Sequence, residues 1–209
     1  MGHLFLDVET YIAKENTDTA LNPYHGSSKI LAIAYNYYDT YKPPVKAEIK
    51  QPVLLKEWEF GERQMLMEFF TALQGMLAKD PNMNIHGFNI LKFDLPYLFG
   101  RMRVHGIAAE NELHKLLYRN GTDMMHLAAV LSDEGRVKEA LWGIGQKEVN
   151  RFFGLQVSEG TGLECSLHYD NKEYDQLVER VTREFNFEQL MNSFYLYAKR
   201  LQEGKELNN

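Results

Sequence analysis

The chain has 209 residues, with 44% hydrophobic and 25% charged residues, which is enough apolar material for a sizeable core and too much for a disordered chain. Its formal net charge of −6 argues against a protein that grips nucleic acid through a broad basic surface, but leaves room for one that takes a strand end in a local groove. A single cysteine, Cys165, excludes a disulfide framework or a thiolate zinc cluster within one chain and reads as a bland buried or loop residue rather than a catalytic one.

The first element is a strand over residues 4–10, Leu4-Phe5-Leu6-Asp7-Val8-Glu9-Thr10. Side chains alternate along a strand, so Asp7 and Glu9 project on one side. Two carboxylates at a strand end repel each other unless a cation lies between them. The pair therefore suggests a divalent-metal site and, through it, phosphoryl chemistry. A solvated strand end is the plainer alternative.

Tyr11 to Ser28 is polar and rich in turn formers. Lys29 to Tyr38 reads as a second strand, and Ala47 to Leu55 as a third, with Pro52 favouring an edge or a strand end. Apolar residues spaced by three and four make Glu62 to Ala78 an amphipathic helix, ended by Asp80-Pro81-Asn82. Met83 to His86 is a short strand closed by Gly87. Phe93 to Val104 is a helix, Gly121 to Met125 a short strand or extended entry, and His126 to Leu131 a helix. Lys138 to Phe153 reads as another helix, which Gly154 caps.

Gly160 and Gly162 fall in a loop within 155–172. A long helical region follows, about 171–203, with a joint near Asn186. Three strands close in sequence form a meander. The fourth returns through a helix, which calls for a crossover and a mixed sheet.

The segment from Gly87 to Leu98 carries the second signal. Asp94 lies near a helix start, where amide donors favour an anion, so it serves as a cap, a site carboxylate, or both. Asn89 bonds nearby backbone or a substrate phosphate. Phe93 stacks on a base or packs in the core. Asp123, before an apolar helix, reads as a cap. His126 reads as packed against its loop. Lys92, Arg101 and Arg103 are candidates for a local positive rim, with solvated helix-face charges an equal or better explanation. Seven histidines show no HExxH spacing, and no phosphate-binding GxxxxGK[ST] occurs.

Leu6-Asp7-Val8-Glu9-Thr10 resembles the first motif of the DEDD superfamily of exonucleases. Gly87-Phe88-Asn89-Ile90 with Phe93-Asp94-Leu95-Pro96-Tyr97-Leu98 resembles the second motif, in the form found in the proofreading domain of family B DNA polymerases. The resemblance covers residue 4 to about residue 200. It implies a single α/β domain over 1–209 with a ribonuclease-H-like fold, a mixed central sheet with flanking helices. It also implies 3′–5′ hydrolysis of nucleic acid to 5′-monophosphates with two Mg²⁺ or Mn²⁺ ions. Asp7 would bridge both ions, Glu9 would hold the first, and Asp94 would lie on the second-ion side. Thr10, Phe88 and Asn89 would line the terminal nucleotide.

The family's late motif, a tyrosine or histidine four or five residues before an aspartate, is altered here. By position, Glu184 stands for the aspartate and Arg180 for the tyrosine or histidine. Asp175 is a second choice for the metal ligand, and Asp123 is a second-choice site residue because the family often has an acid near that point. Arginine stays protonated and is no general base near neutral pH. Arg180 would instead bind the scissile phosphate or pair with Glu184.

The expected partner is a nucleic-acid 3′ end, with single-stranded DNA favoured and RNA open. The alternative is a weak or inactive exonuclease-like protein that binds such ends or a replication or repair partner. No signal peptide or membrane span is evident, so a cytoplasmic location is expected.

Overall fold

The computed structural model describes residues 2–13, 21–40, 48–131, 145–157 and 162–203. Five strands form one sheet: β1 (His3–Thr10), β2 (Ile30–Tyr38), β3 (Val53–Lys56), β4 (Asn84–Gly87) and β5 (Gly121–Asp123). Their order is β3-β2-β1-β4-β5. The first three strands make the expected antiparallel meander, while β4 runs parallel to β1 and β5 parallel to β4. The sheet is therefore mixed, with β1 at its centre.

Helices interrupt and follow the strands. They are α1 (Glu57–Phe60), α2 (Glu62–Lys79), α3 (Asp94–Val104), α4 (Glu110–Leu117), α5 (Met124–Leu131), α6 (Gln146–Phe152), α7 (Gly162–Asp170), α8 (Tyr174–Glu184) and α9 (Phe187–Gln202).

Three expectations need correcting. Residues 48–52 are not strand, and the third strand begins at Val53, directly after Pro52, which has no N–H to give a longer ladder; Ala47 lies outside the described residues. Residues 162–170 are a helix and not loop, with Gly162 as its first residue. The expected helix from Lys138 is seen over Gln146–Phe152, with Gly145 extended just before it and residues 138–144 outside the described ones.

The two faces of the sheet are covered by different helices. Leu4, Leu6 and Val8 of β1 join one buried cluster with Met65, Leu66 and Phe69 of α2 and Leu95 and Leu98 of α3. On the other face, Phe5, Ala32 and Ala34 meet Cys165 of α7, Leu177 and Val181 of α8, and Leu190 of α9. Two covered faces explain why β1 reads as a nearly continuous apolar run. From Gly2 to Thr10 every residue is buried except Asp7 and Glu9, which keep partial exposure. Across the ladder these two acids face Ala34 and Ala32, small residues in an otherwise bulky strand.

Gly87 ends β4 because nothing larger fits. A β-carbon there would stand 2.7 Å from the Leu6 carbonyl oxygen. The chain turns away from β1 at this point, through Asn89 in the left-handed region at φ 59°.

His86 is 3% exposed, its ring stacked on His3 at 5.0 Å and on Phe5 at 5.1 Å, with Nε2 2.9 Å from His3 Nδ1. Burial, and then the charge of His3, push its pKa down to about 3, against 6.5 for the free side chain. A folded pKa below the unfolded one means that the unfolded chain binds the extra proton. His86 thus contributes stability above pH 6.5 and loses it as the pH falls toward 3. The loss is at most about 1.4 kcal/mol per pH unit. Urea unfolding between pH 7 and 4.5 should show this slope in the wild type and a shallower one in His86→Gln. Equal slopes would assign the protons elsewhere.

Candidate nuclease-like site

Four carboxylates from three elements share one electrostatic neighbourhood at the end of β1. Asp7 and Glu9 come from β1, Asp94 from the first turn of α3, and Glu184 from the last turn of α8. Asp94 is 3% exposed, and its Oδ1 accepts the Val8 N–H at 2.9 Å. β4 pairs with β1 only as far as Phe5, so this N–H lies beyond the ladder and takes the carboxylate instead.

The proton affinities record the crowding. Asp7 is raised well above the usual carboxylate range by burial, then by the charges of Glu9, Asp94 and Glu184. Glu9 is raised by burial and by Glu184, while the Cys165 thiol and the Arg180 guanidinium pull it back. Burial pushes Asp94 up to about 7 against the pull of the Val8 N–H, with Glu9 and Asp123 adding repulsion. Burial and Glu9 together push the Cys165 thiol up, which keeps it protonated and unreactive.

Arg180 supplies the positive charge. It is 5% exposed, with Nη1 2.6 Å from Glu164 Oε2 of α7 and Nη2 3.0 Å from Glu184 Oε1. Its third nitrogen, Nε, is buried without a hydrogen-bond partner.

Hard oxygen donors suit Mg²⁺ or Mn²⁺. The fit, however, is incomplete. Among the described residues, no three His, Cys, Asp or Glu side chains are disposed to hold one ion. Asp94 is turned onto Val8, Glu9 is in contact with Cys165 and Glu184, and Glu184 is ion-paired with Arg180. The carboxylates are neighbours, but they do not form a preformed metal site.

The architecture has relatives among solved structures. The family B DNA polymerase from the hyperthermophilic archaeon Pyrobaculum calidifontis superposes with a TM-score of 0.61 and 16% identity. The match covers 96% of this chain and 24% of the polymerase, so the chain spans about a quarter of that protein's length. The two share a fold, a ribonuclease-H-like mixed sheet flanked by helices. E. coli Exonuclease I, solved with a dA16 oligonucleotide, matches with a TM-score of 0.45 and 12% identity over 84% of this chain and 42% of its own. No family model matches the sequence, and no curated protein does.

The remaining sequence-derived candidates fall in different places. Thr10 is buried at 6%, just after an irregularity in the β1–β2 register. Phe88 packs on the α7–α9 side of the sheet, while Phe93 packs on the α2–α3 side against Tyr97. Asn89 presents its backbone N–H to Asp123. Asp123 is a buried cap for α5, as its place before an apolar helix suggests. Asp175 is exposed in the first turn of α8 and is not among the charges that shift Asp7 or Glu9.

Of the three basic residues around the second segment, two are held by acids. Arg101 is buried against Glu62, and Arg103 pairs with Glu110 at 3.1 Å. His126 is exposed instead of packed. Among the described residues, no helix is long and apolar enough to cross a membrane.

The sequence reading missed α7 and, with it, two site neighbours. Cys165 contacts Glu9, and Glu164 holds Arg180. One helical turn on from Cys165, Tyr169 meets Tyr11, which is two residues past Glu9. Tyr169 also joins Trp58 and Tyr174, whose rings stack at 5.0 Å and 3°. Lys29 Nζ lies 4.4 Å from the Tyr169 ring centroid. Half-buried aromatic rings thus follow the carboxylate strand, through Tyr11, and follow Cys165 along α7, through Tyr169. The four-residue spacing of Cys165 and Tyr169 was the available signal.

Proposed function

We propose that this chain is an exonuclease-fold protein that holds nucleic-acid 3′ ends, single-stranded DNA above all, and hydrolyses them weakly or not at all. One observation carries the reading. The carboxylates gather as a nuclease-like cluster would, yet each of Glu9, Asp94 and Glu184 is engaged by a protein partner. The polymerase-like fold supports a nucleic-acid partner. The Trp58–Tyr174 stack with Tyr11, Tyr169 and Lys29 supports a single strand, because every base offers a face for stacking and a lone strand leaves those faces open.

A second reading, a working two-metal 3′–5′ exonuclease, is favoured by the convergence of Asp7, Glu9, Asp94 and Glu184 in one field. The two separate in a single assay. A 5′-labelled single-stranded DNA is followed with Mg²⁺ and with Mn²⁺, by anisotropy for binding and by gel for shortening. An Asp7→Ala, Asp94→Ala protein serves as the control.

The expected result is retention of linear DNA over circular DNA with little shortening. Trp58→Ala should weaken binding about tenfold, the scale of one lost base–aromatic stack. Rapid metal-dependent shortening from the 3′ end, absent in the control, would establish the working exonuclease instead. A protein that neither binds nor cuts would overturn both readings.

A further inference from the structure

We propose that Arg180 is the resident cation of the carboxylate cluster, tethered by Glu164, and that its guanidinium keeps divalent ions out. The proposal rests on the same cluster as the functional reading, and concerns how that cluster is kept closed.

The geometry argues for it from several sides. Arg180 is 5% exposed, so its charge is not there for solvent. Burying a guanidinium without anions around it is prohibitive, and its place is therefore set by its partners. Those partners come from separate elements: Glu164 from α7 at 2.6 Å, Glu184 from its own helix at 3.0 Å, and Glu9 of β1 within its field. Its Nε, buried and unpartnered, shows that the side chain is not placed to complete its own hydrogen bonds. It is placed where the negative charge is.

Arginine also cannot step aside by losing its proton. A fixed positive charge repels a divalent ion with twice the energy it exerts on a univalent one at the same distance. Glu184 cannot both keep the Arg180 pair and turn its oxygens to a second cation. Glu164 lies outside the four-carboxylate group and is 44% exposed, so its part is to position the guanidinium.

The test reads metal uptake by the full chain, with no nucleic acid present. Mn²⁺ is titrated into wild type, Arg180→Gln and Glu164→Gln. Free Mn²⁺ is followed by electron paramagnetic resonance, and thermal unfolding is recorded with and without the ion. Wild type should take up Mn²⁺ poorly and show no shift in Tm. Arg180→Gln should bind it about tenfold more tightly or better, and recover with Mn²⁺ the thermal stability lost in chelator. Glu164→Gln should gain uptake to a smaller degree.

Tight Mn²⁺ uptake by wild type that Asp7→Asn abolishes would overturn the proposal. So would a folded Arg180→Gln protein with no gain. If Arg180→Gln does not fold, Glu164→Gln decides, and unchanged uptake overturns it. Strand binding is measured separately, so a failure here leaves the nucleic-acid reading standing or falling on its own assay.

Discussion

Replacing Glu62 with alanine is expected to destabilise the fold by about 3–5 kcal/mol, the cost of stranding one partner of a buried ion pair. Glu62 is 8% exposed at the start of α2. Its Oε2 takes Arg101 Nη2 at 2.6 Å and His105 Nε2 at 2.7 Å, while Oε1 takes Arg101 Nε and the Ile30 N–H, each at 2.8 Å. Arg101 in turn donates Nη1 to the Pro23 carbonyl at 2.9 Å. One carboxylate therefore joins α2, α3, the first residue of β2 and the segment before it.

Burial alone would raise the Glu62 pKa, but Arg101, the Ile30 N–H and His105 together bring it below the usual glutamate value. A depressed folded pKa gives stability that is full above the unfolded pKa of about 4.3 and is lost as pH falls through the folded value. The gap between wild type and Glu62→Ala in guanidinium unfolding should therefore be widest near neutrality and narrow below pH 4.3. Glu62→Met with Arg101→Met should recover part of the loss, because neither charge is then left buried alone. A single variant that loses under about 1 kcal/mol would show that water reaches the pair.

The elements that were legible in the sequence were those where one physical signal dominated. β1 and β2 are apolar runs because both faces of the sheet are covered. α2 shows its period over 18 residues. The joint between α8 and α9 falls at Phe185 and Asn186, where the long helical pattern breaks. α1 was missed because four residues are too short to display a period. α7 was missed because Gly160 and Gly162 read as loop punctuation and outweighed the helical spacing that follows. α4 escaped notice because its 8 residues show the helical period only once, at Leu113, Leu116 and Leu117.

The candidate site was legible where it depends on local geometry and illegible where it depends on packing. Strand parity puts Asp7 and Glu9 together, and four-residue helical spacing puts Arg180 beside Glu184. Nothing local places Glu164 on Arg180, because that contact joins two helices across 16 residues. Arg101 beside the second motif looked like a surface charge, and only the fold shows that Glu62 has taken it inside. That Arg180 and Glu184 stand where the resembled family has a tyrosine or histidine and an aspartate was visible as a change of residue. Its consequence, a cation fixed among the acids, needed the tertiary structure.

Asp123→Ala is the other substitution with a large expected effect, about 3 kcal/mol in stability, because it leaves three backbone donors without their acceptor. Asp123 is 3% exposed and takes the N–H groups of Asn89 at 2.9 Å, Leu91 at 3.3 Å and Met125 at 3.0 Å. The first two bonds fix the turn between β4 and α3, where Asn89 holds φ 59°. The Asn89 carbonyl then accepts the N–H groups of Lys92 and Phe93, so the turn sets where Asp94 begins α3. Asp123 is therefore a cap whose reach extends to the candidate site.

Asp123→Asn should cost less, about 1–2 kcal/mol, since one oxygen still serves Asn89 and Met125 while the amide group faces the Leu91 N–H donor to donor. The decisive readout is the Val8 amide, which Asp94 accepts at 2.9 Å. Its hydrogen exchange should quicken in Asp123→Ala nearly as much as in Asp94→Ala, while the amides of Leu4 and Leu6 stay slow. A Val8 amide that remains protected in Asp123→Ala would mean that α3 packing, not the Asp123 clamp, positions the second-motif carboxylate.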